Sequence, residues 1–173
     1  NTYQNDRHKT FYLSAGGKNS KKIYFIHGWP ELSISWRNQL GFFSDLGFHA
    51  VAPDMRGYGY SSCPPNVDDY DVHCIASDMM CLLQSQGLSK SYLIGHDWGS
   101  AVGWAVTATN KDRILTWTAL SVPHLDAFGD AIVNDERQEE KSYYIDIFRM
   151  KFIPELYFKF LNYRNLKNIW SSS

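Results

Sequence analysis

Short apolar runs alternate along most of the chain with longer stretches in which apolar residues recur at helical spacing. The short runs are bounded by glycine or polar residues, as is typical of buried strands. They predict strands at 9–14, 22–26, 48–52, 92–94 and 114–120. The stretches between them predict helices around residues 32–43, 75–83 and 101–106, with Gly47 and Gly87 ending the first two.

Strands that alternate with helices predict an α/β fold with a mostly parallel sheet and helices on both of its faces. The pattern changes after Pro123, because residues 124–173 contain no segment typical of a strand. We therefore expect two parts: the N-terminal part of an α/β core at 1–123 and a helical segment at 124–173.

The second part reads as helices throughout. A charged helical segment starts at Asp135, and Tyr144 and Phe148 share one face at i, i+4. Pro154 interrupts this pattern, which resumes over 155–161. Such a segment, inserted after a strand, is expected to be a lid over the carboxyl edge of the sheet.

Composition and charge exclude several classes of partner. The chain of 173 residues has a net charge of −1, which favours neither nucleic acid nor an acidic membrane. No apolar run approaches the roughly 18 residues that a membrane-spanning helix needs. Cys63, Cys74 and Cys81 lack C-x-x-C spacing, so we expect free, mostly packed thiols in the cytoplasm. We expect no metal and no cofactor, and the oligomeric state stays open.

The most informative segment follows the strand at 92–94. Gly95 and Gly99 flank Asp97 at two-residue spacing, and a helical pattern begins at once. This is the G-x-Nu-x-G spacing of a nucleophile elbow, in which only glycine fits beside the nucleophile. A serine is usual at the centre. An aspartate there attacks as a carboxylate, so its covalent intermediate is an alkyl ester at a saturated carbon.

Four segments in this order resemble the α/β-hydrolase superfamily and, within it, the epoxide hydrolases. They are His27-Gly-Trp-Pro-Glu31, Ser35-Trp-Arg37, Asp54-Met-Arg-Gly-Tyr-Gly-Tyr-Ser61 and Gly95-His-Asp-Trp-Gly99. Two later segments, 121–124 and 142–149, look like the entry to that family's cap domain. The resemblance covers roughly residues 10–150 and implies a partial α/β-hydrolase core followed by the start of a helical cap.

The resemblance implies a chemistry for these residues. Asp97 is expected to open an epoxide, a small apolar molecule, and to form an alkyl ester on the way to a diol. A cap tyrosine is expected to donate a hydrogen bond to the departing ring oxygen. Tyr144 matches that position, with Tyr143 as its nearest competitor and a plain packing role as the alternative.

The resemblance also implies an oxyanion hole made by the backbone N–H groups of Trp29 and Trp98. Pro30 is expected to follow a cis bond, as in this family, and to line the pocket. The indole rings of Trp29 and Trp98 could equally form walls of the pocket.

The remaining polar residues of the motifs are expected to have supporting roles. His27 is expected to brace its loop, and His96 has no predicted chemical role. Asp54 and Arg56 are expected to form an ion pair that braces the glycine-containing loop. His124, the sole histidine after Asp97, is expected to line the substrate pocket and not to act as the base. That base, its carboxylate partner and a second cap tyrosine are therefore expected outside this chain, which we interpret as a fragment that is inactive alone.

Two alternatives stay open. A dehalogenase of the same superfamily also uses an aspartate elbow, and the Trp98 indole N–H suits a halide. However, haloalkane dehalogenases tend to have Asn where this chain has Trp29, and the fluoroacetate type usually has Arg where it has Trp98. Trp29, Glu31 and Tyr144 therefore favour epoxides. The other alternative is a fragment without catalytic activity. A serine esterase is disfavoured, since no G-x-S-x-G occurs.

Overall fold

A six-stranded sheet organises the computed structural model, which describes residues 1–5, 8–87, 90–159, 163, 164 and 167. Its strands are β1 (Thr2–Gln4), β2 (Lys9–Ala15), β3 (Lys21–Ile26), β4 (Phe48–Pro53), β5 (Ser91–His96) and β6 (Ile114–Leu120). The spatial order is β1-β2-β4-β3-β5-β6, which places β3 beside both β4 and β5. All five predicted strands are present, and β1 was not predicted.

The helices are α1 (Arg37–Asp45), α2 (Val72–Ser85), α3 (Trp98–Thr109), α4 (Leu125–Asn134), α5 (Glu136–Arg149) and α6 (Ile153–Lys159). Short 3-10 turns occupy Ser33–Trp36, Val67–Tyr70 and Lys111–Arg113. The helices predicted around residues 32–43, 75–83 and 101–106 are present, although the first begins as the 3-10 turn Ser33–Trp36. Gly47 and Gly87 follow α1 and α2 with positive φ of 85° and 75°, the conformation expected of a glycine that ends a helix.

Within the six-stranded sheet, β2 runs opposite to the other five strands. β4, β3, β5 and β6 are mutually parallel, whereas β2 pairs with β4 in antiparallel register and β1 pairs with β2 in the same manner. The reversal follows from the short turn at 16–20 between β2 and β3, which is too short for the helix that a parallel crossover needs. The mostly parallel α/β sheet predicted from the sequence is confirmed.

The centre of the sheet is covered on both faces, as β3 shows. Tyr24 and Ile26 belong to the apolar cluster formed with α2 and α3, while Phe25 packs on the opposite face with Trp36 and Leu40. Successive side chains of a strand point to opposite faces, so a strand buried on both faces must be apolar at nearly every position. This is why residues 23–26 form a continuous apolar run.

Arg56 corrects one sequence-based expectation. It pairs with Asp78 on α2 through two hydrogen bonds of 2.8 Å, and not with Asp54. Asp54 instead accepts backbone N–H bonds from Ser33 at 2.8 Å and Tyr60 at 3.3 Å. The loop after β4 is therefore braced by two separate carboxylates. Arg56 reaches across to α2, because its fork-shaped guanidinium finds a bidentate carboxylate there.

The chain divides into two compact units, Asn1–Leu125 and Asp126–Ser173. Within the second unit, Asp135 caps α5 by accepting the backbone N–H of Arg137 at 2.9 Å. The rings of Tyr144 and Phe148 lie 5.6 Å apart, as their i, i+4 spacing predicts. Pro154 lies in the first turn of α6, where proline is tolerated, so it starts a helix and does not interrupt one. The end of the predicted segment 155–161 falls outside the described residues.

No helix within the described ranges is long and apolar enough to cross a membrane.

We predict that Asp78→Asn destabilises the protein by about 3 kcal/mol, because it leaves the Arg56 guanidinium without its carboxylate in a poorly solvated place. The two side chains are 5% and 12% exposed. Urea unfolding of the complete protein measures the change. Asp146→Asn is the matched control, because its partner Arg149 is 80% exposed and the pair is screened by solvent. Equal effects of the two substitutions would contradict the role assigned to Asp78.

Candidate active site

The carboxyl ends of β3 and β5 bring two loops together. These strands are parallel neighbours, and Ile26 pairs with Gly95 at their ends. The next residues of each strand therefore meet at one edge of the sheet, where α/β proteins place their sites. There the backbone N–H of Trp29 donates a 2.9 Å hydrogen bond to Oδ1 of Asp97. Among the described residues, no hydrogen bond reaches the second oxygen, Oδ2.

Asp97 lies on a sharp turn from β5 to α3. Its φ of 54° and ψ of −124° are sparsely populated for a residue with a side chain. Such a conformation lifts the carboxylate out of the sheet edge, as the elbow motif predicts. The turn is closed by backbone bonds, since Asp97 donates to the carbonyl of Leu120 at 3.2 Å and accepts from Ser100 at 2.8 Å.

The glycines on either side are required by close approach. A Cβ on Gly95 would overlap the backbone of Gly99 and the ring of Trp117. A Cβ on Gly99 would overlap the carbonyls of Ile26 and His27 on the neighbouring strand. The G-x-Nu-x-G spacing thus lets α3 begin directly against the end of β3.

Gly28 allows the loop after β3 to touch the elbow. A Cβ there would overlap the side chain of Asp97 and the carbonyl of His96. The loop continues through a cis bond between Trp29 and Pro30, as expected for this motif. It closes with a 3.0 Å bond from the N–H of Glu31 to the carbonyl of Gly28. This turn holds the Trp29 N–H pointing towards Asp97.

His27 braces this loop from below. Its Nε2 accepts the backbone N–H of Met55 at 3.0 Å, so the proton of the neutral ring is on Nδ1, which donates to the carbonyl of Gly28 at 2.8 Å. The residue is fully buried, and burial lowers the pKa of its imidazole. Both ring nitrogens are engaged with backbone, which agrees with the bracing role predicted from the sequence.

Trp98 is the first residue of α3. N–H groups in the first turn of a helix have no partner inside that helix and point towards the preceding residues. The Trp98 N–H is therefore in the part of the helix that favours negative charge. Its indole is 56% exposed, which leaves the ring available as a pocket wall.

Two site residues were missed by sequence reasoning. Tyr58 packs edge-on against His27 with ring centroids 4.9 Å apart, and burial together with the negative charge of Asp97 raises the pKa of its hydroxyl to about 12. The position of Tyr58 between Gly57 and Gly59, within one of the motifs, was the sequence feature that could have indicated it. The second is His96, whose Nδ1 lies 3.5 Å from Oε2 of Glu31.

The remaining predicted site residues lie partly in the first unit and partly on α5. In the first unit, His124 is exposed, and its ring lies edge-on to Trp104 with ring centroids 4.9 Å apart. Pro30 is partly buried beside Trp29. On α5, Tyr144 is 46% exposed and Tyr143 is 63% exposed. Their functional roles stay predictions.

The donor set does not favour a metal. Within the part of the chain that the structure describes, no group of three or more His, Cys, Asp or Glu side chains is arranged to hold an ion. Cys63, Cys74 and Cys81 are free thiols, of which Cys63 is exposed and the other two are partly buried.

A family profile described as "alpha/beta hydrolase fold" matches residues 21–152. The chain belongs to the α/β-hydrolase family. The parallel strands β3 and β5 and the turn at Asp97 are accordingly part of an α/β-hydrolase fold.

Several relatives of this α/β-hydrolase chain have related names. It is 32% identical to epoxide hydrolase 3 of Xenopus tropicalis over 90% of its own length and 42% of that protein's. It is 41% identical to epoxide hydrolase A of Mycobacterium tuberculosis over 65% of its own length and 35% of that protein's. A crystal structure of Bacillus megaterium epoxide hydrolase with an inhibitor matches with a TM-score of 0.92 at 26% identity, over 99% of this chain and 59% of that one. The chain thus spans less than half the length of these two curated relatives.

We predict that Gly28→Ala separates Trp29 from Asp97. The added methyl group occupies the space of the carboxylate, and overpacking of this kind costs about 1–3 kcal/mol. In the complete protein, the amide proton of Trp29 should lose the downfield NMR shift that a bond to a carboxylate produces. Gly41→Ala is the matched control, because a Cβ on Gly41 meets open space. A Trp29 amide signal unchanged in Gly28→Ala would show that the loop does not depend on this contact.

Proposed function

We propose that the complete protein hydrolyses epoxides to diols through an alkyl ester on Asp97. The observation that carries this proposal is the 2.9 Å bond from the Trp29 N–H to Asp97 Oδ1 at the elbow. It pairs a nucleophilic carboxylate with a donor that suits the oxyanion of a later step. The relatives named epoxide hydrolases support the substrate class.

The first step uses the two oxygens of Asp97 differently. Oδ1 is occupied by the Trp29 N–H, so Oδ2 attacks a carbon of the strained ring. A carbon–oxygen bond forms to Oδ2, and the ring's carbon–oxygen bond breaks. The departing oxygen takes a proton from a cap tyrosine, for which Tyr144 is our candidate. Oδ1 becomes the carbonyl oxygen of the ester.

The second step returns Asp97 to its starting state. Water attacks the ester carbon, and negative charge develops on Oδ1. The N–H groups of Trp29 and Trp98 are our candidates for stabilising that charge. Collapse of the intermediate expels the diol together with Oδ2, which takes the proton that the base removed from water. The Asp97 carboxyl group that remains gives its proton back to the cap tyrosinate, so both residues regain their starting states. Water activation is assigned to a histidine held by a carboxylate, the usual partner set of this fold.

The substrate we propose is a small apolar epoxide. The exposed indole of Trp98 beside the elbow offers an apolar surface of suitable size, with Pro30 and His124 as further candidates for the pocket.

Free cysteines fit a reducing compartment, and we propose a cytoplasmic location. Dehalogenation is the competing reaction at the same aspartate, and Trp29 and Trp98 in their motifs disfavour it.

Asp97→Ala is expected to abolish both ester formation and turnover, because no other group can supply the attacking carboxylate. The complete protein is assayed against styrene oxide and a panel of haloalkanes, with mass spectrometry to detect the alkylated peptide. Asp112→Ala is the control, because Asp112 is exposed at the amino end of β6, away from the elbow. Halide release without diol formation by the unmodified protein would overturn the assignment to epoxides.

Tyr144→Phe is expected to slow ring opening by about 10²-fold, since one hydrogen bond to the developing charge is lost. Ester hydrolysis should change much less, because the hydroxyl assists the departing oxygen alone. Single-turnover quench-flow separates the two rates, with Tyr143→Phe as the neighbouring control on α5. Impaired ring opening in Tyr143→Phe, with normal ring opening in Tyr144→Phe, would move the role to Tyr143.

A further inference from the structure

Glu31 and His96 connect the two loops that meet at the site. Oε2 of Glu31 lies 3.5 Å from Nδ1 of His96, and the side chains are 30% and 38% exposed. His96 directly precedes Asp97 in the chain. Glu31 is fixed relative to Trp29 by its own 3.0 Å bond to the Gly28 carbonyl. The contact therefore spans the same gap as the bond from Trp29 to Asp97.

The hydrogen bond from the Trp29 N–H to Asp97 Oδ1 changes strength during the proposed reaction. Before attack, Oδ1 belongs to a carboxylate, and a hydrogen bond to a charged acceptor is roughly twice as strong as one to a neutral group. After attack, the same oxygen is an ester carbonyl without charge. The Trp29 N–H is then attracted less, although the hydrolysis step needs it in place before charge reappears on Oδ1.

The hydrogen bonds of His27 hold the loop after β3 but not the elbow. His27 fixes the Gly28 carbonyl relative to the backbone of Met55. Among the described residues, it makes no hydrogen bond to the elbow. Glu31 and His96 reach from one loop to the other, and their contact does not involve the carboxylate that reacts.

We propose that Glu31 and His96 are positioning residues that hold the Trp29 N–H against Asp97 while the ester is neutral. This inference rests on the proposed function, since it assigns the pair to the second of the two steps. The pair acts through Trp29 and touches neither the substrate nor the attacking water in this account.

The expected effect is small and specific to one step. Polar contacts between partly exposed side chains contribute little, so Glu31→Ala and His96→Ala should each slow ester hydrolysis by about two- to fivefold. The alkylation rate should stay near that of the unmodified protein, because the charged carboxylate then holds the loop itself. Glu31→Gln keeps an oxygen acceptor at the same reach, so it should retain more of the hydrolysis rate than Glu31→Ala.

The test is single-turnover quench-flow on the complete protein with styrene oxide, which follows the alkylated protein as it forms and decays. The double variant Glu31→Ala/His96→Ala should hydrolyse the ester no more slowly than either single variant, because both remove one contact. Asp112→Ala is the control for removing a carboxylate from the same unit.

Three results would overturn the inference: additive effects in the double variant, equal slowing of both steps, or hydrolysis unchanged in both single variants. Failure of the unmodified protein to form any alkylated Asp97 would instead overturn the proposed function. The two failures are thus distinguishable in one experiment.

Discussion

One hydrogen bond joins the two halves of the site: the Trp29 N–H donates to Oδ1 of Asp97 across the ends of β3 and β5. It requires the two strands to be parallel neighbours that end at the same level, which the pairing of Ile26 with Gly95 provides. It also makes the two carboxylate oxygens unequal. The backbone holds Oδ1, whereas among the described residues no hydrogen bond reaches Oδ2.

Close packing around this bond explains the residue types of the motifs. A Cβ on Gly28 would overlap Asp97, and one on Gly99 would overlap the carbonyl of Ile26. Both ring nitrogens of His27 are hydrogen-bonded to backbone groups, so this residue supports the loop and takes no part in proton transfer. Arg56 and Asp78 anchor the neighbouring loop to α2. The site is therefore assembled mainly by backbone, and side chains set how closely that backbone approaches.

The sequence predicted what depends on local order. The five predicted strands, the glycines that end α1 and α2, and the turn at Asp97 follow from periodicity and glycine spacing, and they are found where expected. β1 was not predicted, and Pro154 lies in the first turn of α6 where an interruption was expected. Contacts between distant segments were not predicted: Arg56 was expected to pair with its near neighbour Asp54 but bonds to Asp78. The contact of His96 with Glu31 was missed for the same reason. Which side chains meet across a sheet edge depends on strand order, and one sequence does not reveal that order.

The most direct test of the account follows the oxygen atoms of Asp97. A single turnover of an epoxide by the complete protein is run in water enriched in heavy oxygen. The diol should be unlabelled, because its new oxygen is the former Oδ2, and the peptide that contains Asp97 should carry heavy oxygen. A labelled diol with an unlabelled peptide would show that water attacks the epoxide directly, and would contradict Asp97 as the nucleophile.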